Sequence, residues 1–195
     1  ASVSVDEKAF ASQDTQKKVF VFKINEGARI RIGKIEVVGK ISQDKRFYVS
    51  LFKEYLAEEA HSVYYVKEDI EHAAQEMVTH LKRNGHLVSE LLSVNAKITN
   101  QKSADLTIQI DEGILTYVRQ ILFRGSKSFS NIELNEQIDI AANKPINIEL
   151  VENSFDKIEA FYKERGFLEF KIKNRNAAVI KYKTGQPYAC PLYTS

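Results

Sequence analysis

The chain has no tryptophan, one methionine, one cysteine, three prolines and eight glycines in 195 residues. Each scarcity excludes something. A lone Cys190 can form neither an intramolecular disulfide nor a thiolate metal site, so a zinc ribbon is out and cysteine usage says nothing about redox compartment. The glycines are spread as punctuation between elements rather than clustered, which leaves no phosphate loop and no dinucleotide fingerprint. Neither Cys190 nor any serine sits in a nucleophile elbow or a Cys/His signature. No run approaches the ~18 apolar residues that a membrane-spanning helix needs, and the first residues lack the charged-then-apolar order of a signal peptide. What is present, 44% hydrophobic and 28% charged residues, is the profile of a folded protein and excludes disorder and collagen. Lys+Arg 28 against Asp+Glu 26, a net charge of +2, is too balanced to imply a polyanion, so nucleic acid is not an expected partner. No enzyme activity and no cofactor are expected.

The chain repeats itself. At an offset of 86, Phe20, Phe22, Ile24, Glu26 and Gly27 fall on Leu106, Ile108, Ile110, Glu112 and Gly113, and both copies alternate at period 2. Ile32, Ile35, Val37 and Gly39 fall likewise on Val118, Ile121, Phe123 and Gly125. Further on the offset becomes 81, aligning Ile70, Ala74, Met77, Leu81, Gly85 and Leu87 with Val151, Phe155, Ile158, Tyr162, Gly166 and Leu168. Apolar positions at i, i+4, i+7 and i+11 mark the same helix face twice, closed each time by a glycine suited to a left-handed C-cap. A period this long exceeds the ~20 to 50 residues of solenoid repeats, so these are tandem small domains.

Within one unit the pattern predicts a strand over 30–38, a short helix over 47–58 with Phe47, Leu51, Phe52, Tyr55 and Leu56 available to a core, and an amphipathic helix over 66–83. Strands near 87–98 and 104–111 follow a turn at Gly85, giving β-α-α-β-β and an α+β fold. The second unit repeats this with a strand over 115–124, helices over 130–141 and 147–165, and a strand or hairpin arm from 167. The expected domains are residues 1–27 as the closing β-hairpin of a preceding unit, 28–113 as a complete unit, and 114–195 as a second unit with an incomplete or altered final strand. Opening at Ala1 in an alternating segment, the chain reads as the mature or excised part of a longer protein.

This ordered set resembles polypeptide-transport-associated (POTRA) domains, in tandem, of the kind that precede the outer-membrane β-barrel of BamA-type proteins. The residues that carry the resemblance are the closing strands ending in Asn25-Glu26-Gly27 and Asp111-Glu112-Gly113, the opening strands ending in Gly39 and Gly125, and the helix exits Gly85-His86-Leu87 and Gly166-Phe167-Leu168. The chain departs from many members by having Gly39-Lys40 and Gly125-Ser126 in place of Gly-Asn. The resemblance implies three-stranded sheets covered on one face by two helices, a periplasmic or organelle intermembrane-space location, and a membrane β-barrel C-terminal to this stretch. It also implies unfolded outer-membrane polypeptides and accessory lipoproteins as partners, with no chemistry performed. Secretion or import by a two-partner or organelle-type translocator is the alternative within the family. A single-stranded nucleic-acid module is the alternative outside it, disfavoured because residues 58–65 hold no Gly-x-x-Gly clamp.

In the family resembled, the third strand is central, which leaves the second on the sheet edge with free N–H and C=O groups for an extended client. The candidate peptide-binding edges are therefore Leu87 to Val94, with Leu87, Val88, Ser89, Glu90, Leu91 and Leu92 as the contact residues, and Phe167, Leu168, Glu169, Phe170, Lys171, Ile172 and Lys173. Glu26, Gly27, Glu112 and Gly113 are read as inter-domain joints, glycine permitting an unusual turn where one unit hands the chain to the next. His72, Glu76 and His80 share a helix face, yet read as a solvated face opposite Ile70, Met77 and Leu81 rather than as metal ligands. After Glu169 no acid follows, while Lys171, Lys173, Arg175, Lys181 and Lys183 do. This reads first as lysines guarding an exposed edge and second as a basic surface for an anionic partner.

Overall fold

A computed structural model describes residues 2–8, 19–59, 63–100, 102–173, 175, 181–182 and 188–190. The first strands, β1 (Ser2–Lys8) and β2 (Val19–Asn25), form an antiparallel hairpin of their own. Then come β3 (Arg31–Lys40), α1 (Lys45–Glu58), α2 (Lys67–Arg83), β4 (Glu90–Asn100) and β5 (Ser103–Asp111), in the expected β-α-α-β-β order. They are followed by β6 (Tyr117–Val118), α3 (Asn131–Asn135), α4 (Ile148–Glu164), β7 (Lys181–Tyr182) and β8 (Tyr188–Cys190). No helix among the described residues is long and apolar enough to cross a membrane.

The first sheet has the order β3-β5-β4, with β5 parallel to β3 and antiparallel to β4. The central strand shows why: Ala104, Leu106, Ile108 and Ile110 are buried in strict alternation with Asp105, Thr107 and Gln109, so one face of β5 points to the core and the other to water. Onto that face α1 delivers Tyr48, Leu51, Phe52 and Leu56, and α2 delivers Ile70, Ala73, Ala74, Met77, Val78 and Leu81. Tyr48 takes the place expected for Phe47, which is 37% exposed; positions 48, 52 and 56 lie one turn apart, and 47 points off that stripe. Asp44 caps α1 by accepting from Arg46 N–H at 2.8 Å, and this bond holds its carboxyl below the usual range.

The second sheet keeps the topology, β6-β8-β7, with β8 central and parallel to β6. β6 is shorter than the pattern over 115–124 predicts. The expected helix over 130–141 also ends early, at Asn135. A Ser130/Glu133 capping box starts α3, but Ile138 packs on both apolar clusters of this unit and Ile140 lies within one. Residues two apart meet a common core only in extended backbone, which is what stops the helix.

The repeat is visible in geometry. Ile70 and Val151, Ala74 and Phe155, Met77 and Ile158, and Leu81 and Tyr162 are buried in both copies. Both long helices end alike: His86 N–H donates to Leu81 O at 3.0 Å and Phe167 N–H to Tyr162 O at 3.1 Å, with Gly85 and Gly166 at φ 104 and 94. These are left-handed caps that only glycine adopts without strain.

Candidate interaction edge and inter-unit joint

A three-stranded sheet has two edges, and here they differ. Along β3 the segment before α2 closes the first turns of the strand: Ile32 N–H donates to Val63 O at 3.2 Å and Tyr65 N–H to Ile30 O at 2.9 Å, around a bridge between Arg31 and Tyr64. The second unit repeats the device, with a bridge between Tyr117 and Pro145, Val118 N–H donating to Lys144 O and Ile146 N–H donating to Thr116 O. Farther along β3 the rim carries charge, Lys34 and Lys45 both pairing with Glu36 and Lys40 with Asp111 at 2.7 Å. Charged side chains on a rim disfavour strand addition.

The outer side of β4 has no strand partner among the described residues. It runs for 11 residues, and Leu92 and Ile98 stand 52% and 58% exposed along it. Its register with β5 slips between Leu91 and Ser93, a bulge that bends the near end of the strand. On the face away from the helices Asn95 donates to Ser93 Oγ at 3.0 Å, and Ser93 Oγ lies 3.4 Å from Gln109. The open edge therefore combines free backbone groups with exposed apolar side chains, which suits an extended apolar-polar peptide.

Of the expected edge residues, Glu90, Leu91 and Leu92 are in β4, but Leu87, Val88 and Ser89 are not. They form the turn after α2, where Ser89 N–H donates to His86 O at 2.9 Å and Ser89 is fully buried. The glycine cap carries the chain through a full turn before extended backbone begins. Phe167 to Lys173 contain no strand either. Phe170 stacks on Tyr162 with ring centroids 3.9 Å apart, Phe167 meets Phe129 and Tyr162 edge-on, and Ile172 N–H donates to Glu159 at 2.9 Å. These contacts with aromatic neighbours and with α4 hold the segment to the helices and away from the sheet, where β7 takes the edge position. Arg175, read as part of a basic surface, pairs with Asp156 and Glu159, which raises its pKa through the bond to Glu159 first and to Asp156 second. Lys171 and Lys173 are exposed. Lys183 lies outside the described residues.

The two Glu-Gly pairs share a backbone motif. Asn25 Oδ1 accepts from Gly27 N–H at 3.2 Å and Asp111 Oδ1 from Gly113 N–H at 3.0 Å, with the glycines at φ 69 and 70. A side-chain oxygen bonding two residues on mimics a turn, and the glycine supplies the left-handed step. The carboxylates diverge. Glu26 is exposed, whereas Glu112 is 1% exposed and accepts from Tyr48 Oη at 2.7 Å and from Ser42 N–H at 2.6 Å. Burial, and after it the Glu112 carboxylate, push the Tyr48 hydroxyl pKa up. His86 Nε2 lies 3.4 Å from Glu112 and its Nδ1 lies 3.4 Å from Gly113 O.

That histidine belongs to the joint. Thr116 N–H donates to Gly85 O at 2.9 Å and Asn147 donates to Asn84 Oδ1 at 3.1 Å. Leu87 packs against the cluster of Val118, Ile140, Ile146, Val151 and Phe155, so a side chain of the first unit completes the core of the second. Pattern reading missed this because a Leu after a glycine cap looks the same whether it opens a strand or enters a neighbour. The helix histidines go elsewhere: His72 Nδ1 meets Glu59 at 2.6 Å, which raises the imidazole pKa, and His80 Nδ1 meets Tyr55 Oη at 2.9 Å. His61 lies outside the described residues.

Residues 116–187, most of the second unit, match the family described as POTRA, surface antigen variable number repeat. That stretch is similar to a POTRA domain. Among solved structures, the POTRA fold reaches beyond the matched residues. BamA from Haemophilus ducreyi lacking POTRA domains 1–3 is similar over 82% of this chain and 28% of its own, at 13% identity and a TM-score of 0.50. Haemophilus influenzae BamA POTRA3-5 is similar over 96% of this chain and 68% of its own, at 17% identity and a TM-score of 0.49. POTRA1-2 of the periplasmic domain of Omp85 from Anabaena is similar over 83% and 93%, at 8% identity and a TM-score of 0.44. No curated protein sequence matches the chain.

Proposed function

We propose that this chain is a POTRA-type periplasmic scaffold of an outer-membrane β-barrel assembly factor, and that the outer edge of β4 takes up extended polypeptide by β-augmentation. In this reading residues 28–113 and 114–195 are successive POTRA units and 1–27 is the closing hairpin of another. The clients are unfolded outer-membrane polypeptides, accessory lipoproteins dock on the same scaffold, and the membrane barrel lies C-terminal to this stretch. The observation that carries it is the contrast of edges: the start of β3 is closed by residues 63–65 and its remainder is charged, while β4 is open and partly apolar. Backbone bonding supplies affinity that tolerates many client sequences, and exposed Leu92 and Ile98 favour clients that alternate apolar and polar residues.

Successive residues of a strand point their N–H groups to opposite sides. Of Asn95→Pro and Ala96→Pro, one keeps the ladder with β5 intact, and circular dichroism and thermal melting identify it. That variant is expected to bind an alternating apolar-polar ten-residue peptide about tenfold more weakly, because proline removes one donor and bends the edge. Glu90→Ala, which removes only a side chain, is expected to bind like the parent. Unchanged affinity in the folded proline variant would remove β4 as the site.

A further inference from the structure

The two glycine caps are equivalent in sequence and backbone, yet their surroundings are opposite. A side chain built on Gly85 would meet Ile146 O and Leu115 at 2.9 Å, both in the next unit, whereas one built on Gly166 would meet nothing within 4 Å. Gly85 O accepts a hydrogen bond from Thr116. Leu87, two residues past the cap, fills the apolar cluster of the second unit. Its counterpart two residues past Gly166, Leu168, is 77% exposed beside Phe167 at 42%. Exposed large apolar side chains next to each other, at positions that are buried (His86) or half-buried (Leu87) in the other copy, mark an interface awaiting its partner.

We infer that the Gly166–Phe170 turn is the seat of a further POTRA-like unit, carried C-terminal to this stretch, and that Leu168 enters the core of that unit as Leu87 enters the core of the second. The occupant is defined by what covers the first turn. It presents a backbone N–H, in the role of Thr116, to Gly166 O, and an apolar cluster open on one side to receive Leu168. The inference rests on reading the chain as part of a tandem array, but not on client capture at β4. It gives the two units different chemistry at the same place: a histidine follows Gly85 and reaches the buried Glu112, while a phenylalanine follows Gly166 and keeps its turn packed on Tyr162. The second seat is therefore apolar where the first is partly polar.

Hydrogen–deuterium exchange on the full-length gene product and on the 195-residue chain tests this. Amides of 166–170 should exchange at least about tenfold more slowly in the full-length protein than in the shorter chain, while those of 85–89 exchange alike in both. Leu168→Asp in the full-length protein should return 166–170 to the rates of the shorter chain and leave 85–89 unchanged. Equal exchange at 166–170 in both proteins, or slowing that survives Leu168→Asp, overturns the seat. Peptide binding at β4, measured on the same proteins, separates this outcome from failure of the scaffold reading: a protected turn without peptide capture retains the seat, and capture with an unprotected turn retains only the edge.

Discussion

The two units share one topology and differ, among the described residues, in how their sheet and core are built. In the first, β5 is nine residues long and a single cluster joins the sheet to both helices. In the second, among the described residues, β6 and β7 have two residues each and β8 three, and the buried side chains divide into one cluster at the sheet and one around Leu134, Phe161 and Tyr162. Yet the family match falls on the second unit. A family signature records the order of apolar positions and glycine turns, and both units keep that order; ladder length is a separate property. The contrast teaches that the helix face and its glycine cap are what the two units hold in common among the described residues.

The largest expected effect is in the continuous core. Met77→Ala should destabilise by about 2–5 kcal/mol in urea titration, because a fully buried side chain leaves a cavity that a rigid sheet cannot close. Ile158→Ala, at the matching position of the divided core, should fall at the low end of that range. An Ile158→Ala cost above that of Met77→Ala would break the comparison.

The Glu-Gly pairs sharpen it next. Glu112→Ala leaves Tyr48 Oη and Ser42 N–H without their acceptor and should cost about 1–3 kcal/mol, the penalty of a buried unsatisfied group. Glu26→Ala, on an exposed residue, should stay within about 0.5 kcal/mol. Equal losses would mean that the pairs share a role beyond their turn.

The glycine caps come third. Both positions carry left-handed backbone, so alanine at either should cost about 1 kcal/mol. Gly85→Ala should cost more than Gly166→Ala, since only at 85 does the new methyl group meet Ile146 and Leu115. The difference, read from paired thermal melts, isolates the neighbouring unit's contribution.

The smallest effect is a pH dependence. The hydrogen bond to Glu59, followed by the charge of that carboxylate, raises the pKa of His72 in the folded protein. The stabilisation it brings is fully present below the unfolded imidazole value, ~6.5, and is lost as pH rises through the higher folded value. His72→Asn should flatten the slope of stability against pH between those two values, with little change in stability at pH 8. Because the pair is at the surface, added salt should weaken the effect.

The fold was legible where residue spacing alone decides it. Ile70, Ala74, Met77 and Leu81 define a helix face whatever surrounds it, and the glycine after each helix defines its end, so both helices and the repeat emerge from pattern, while the central place of β5 was implied by the resemblance to POTRA domains. The candidate edge was half legible. Glu90, Leu91 and Leu92 are in the edge strand because β5 pairs with β4 in a hairpin. Leu87 to Ser89 and Phe167 to Lys173 read as strand because alternation is the same for a segment on a sheet and one packed on helices. Contacts between distant parts decide that, namely Leu87 in the neighbouring unit's core and Phe170 on Tyr162. Nor could composition reveal that one glutamate of two identical dipeptides is buried, since its partners Tyr48 and Ser42 are about 70 residues away in the chain.

The most direct test of the edge account is residue-resolved amide exchange on the 195-residue chain with and without a saturating alternating apolar-polar peptide. The account predicts that alternate amides of β4 between Ser93 and Thr99, those pointing away from β5, slow on peptide addition, with β3 unchanged. Slowing confined to α1 and α2, or to the β3 rim, would contradict it.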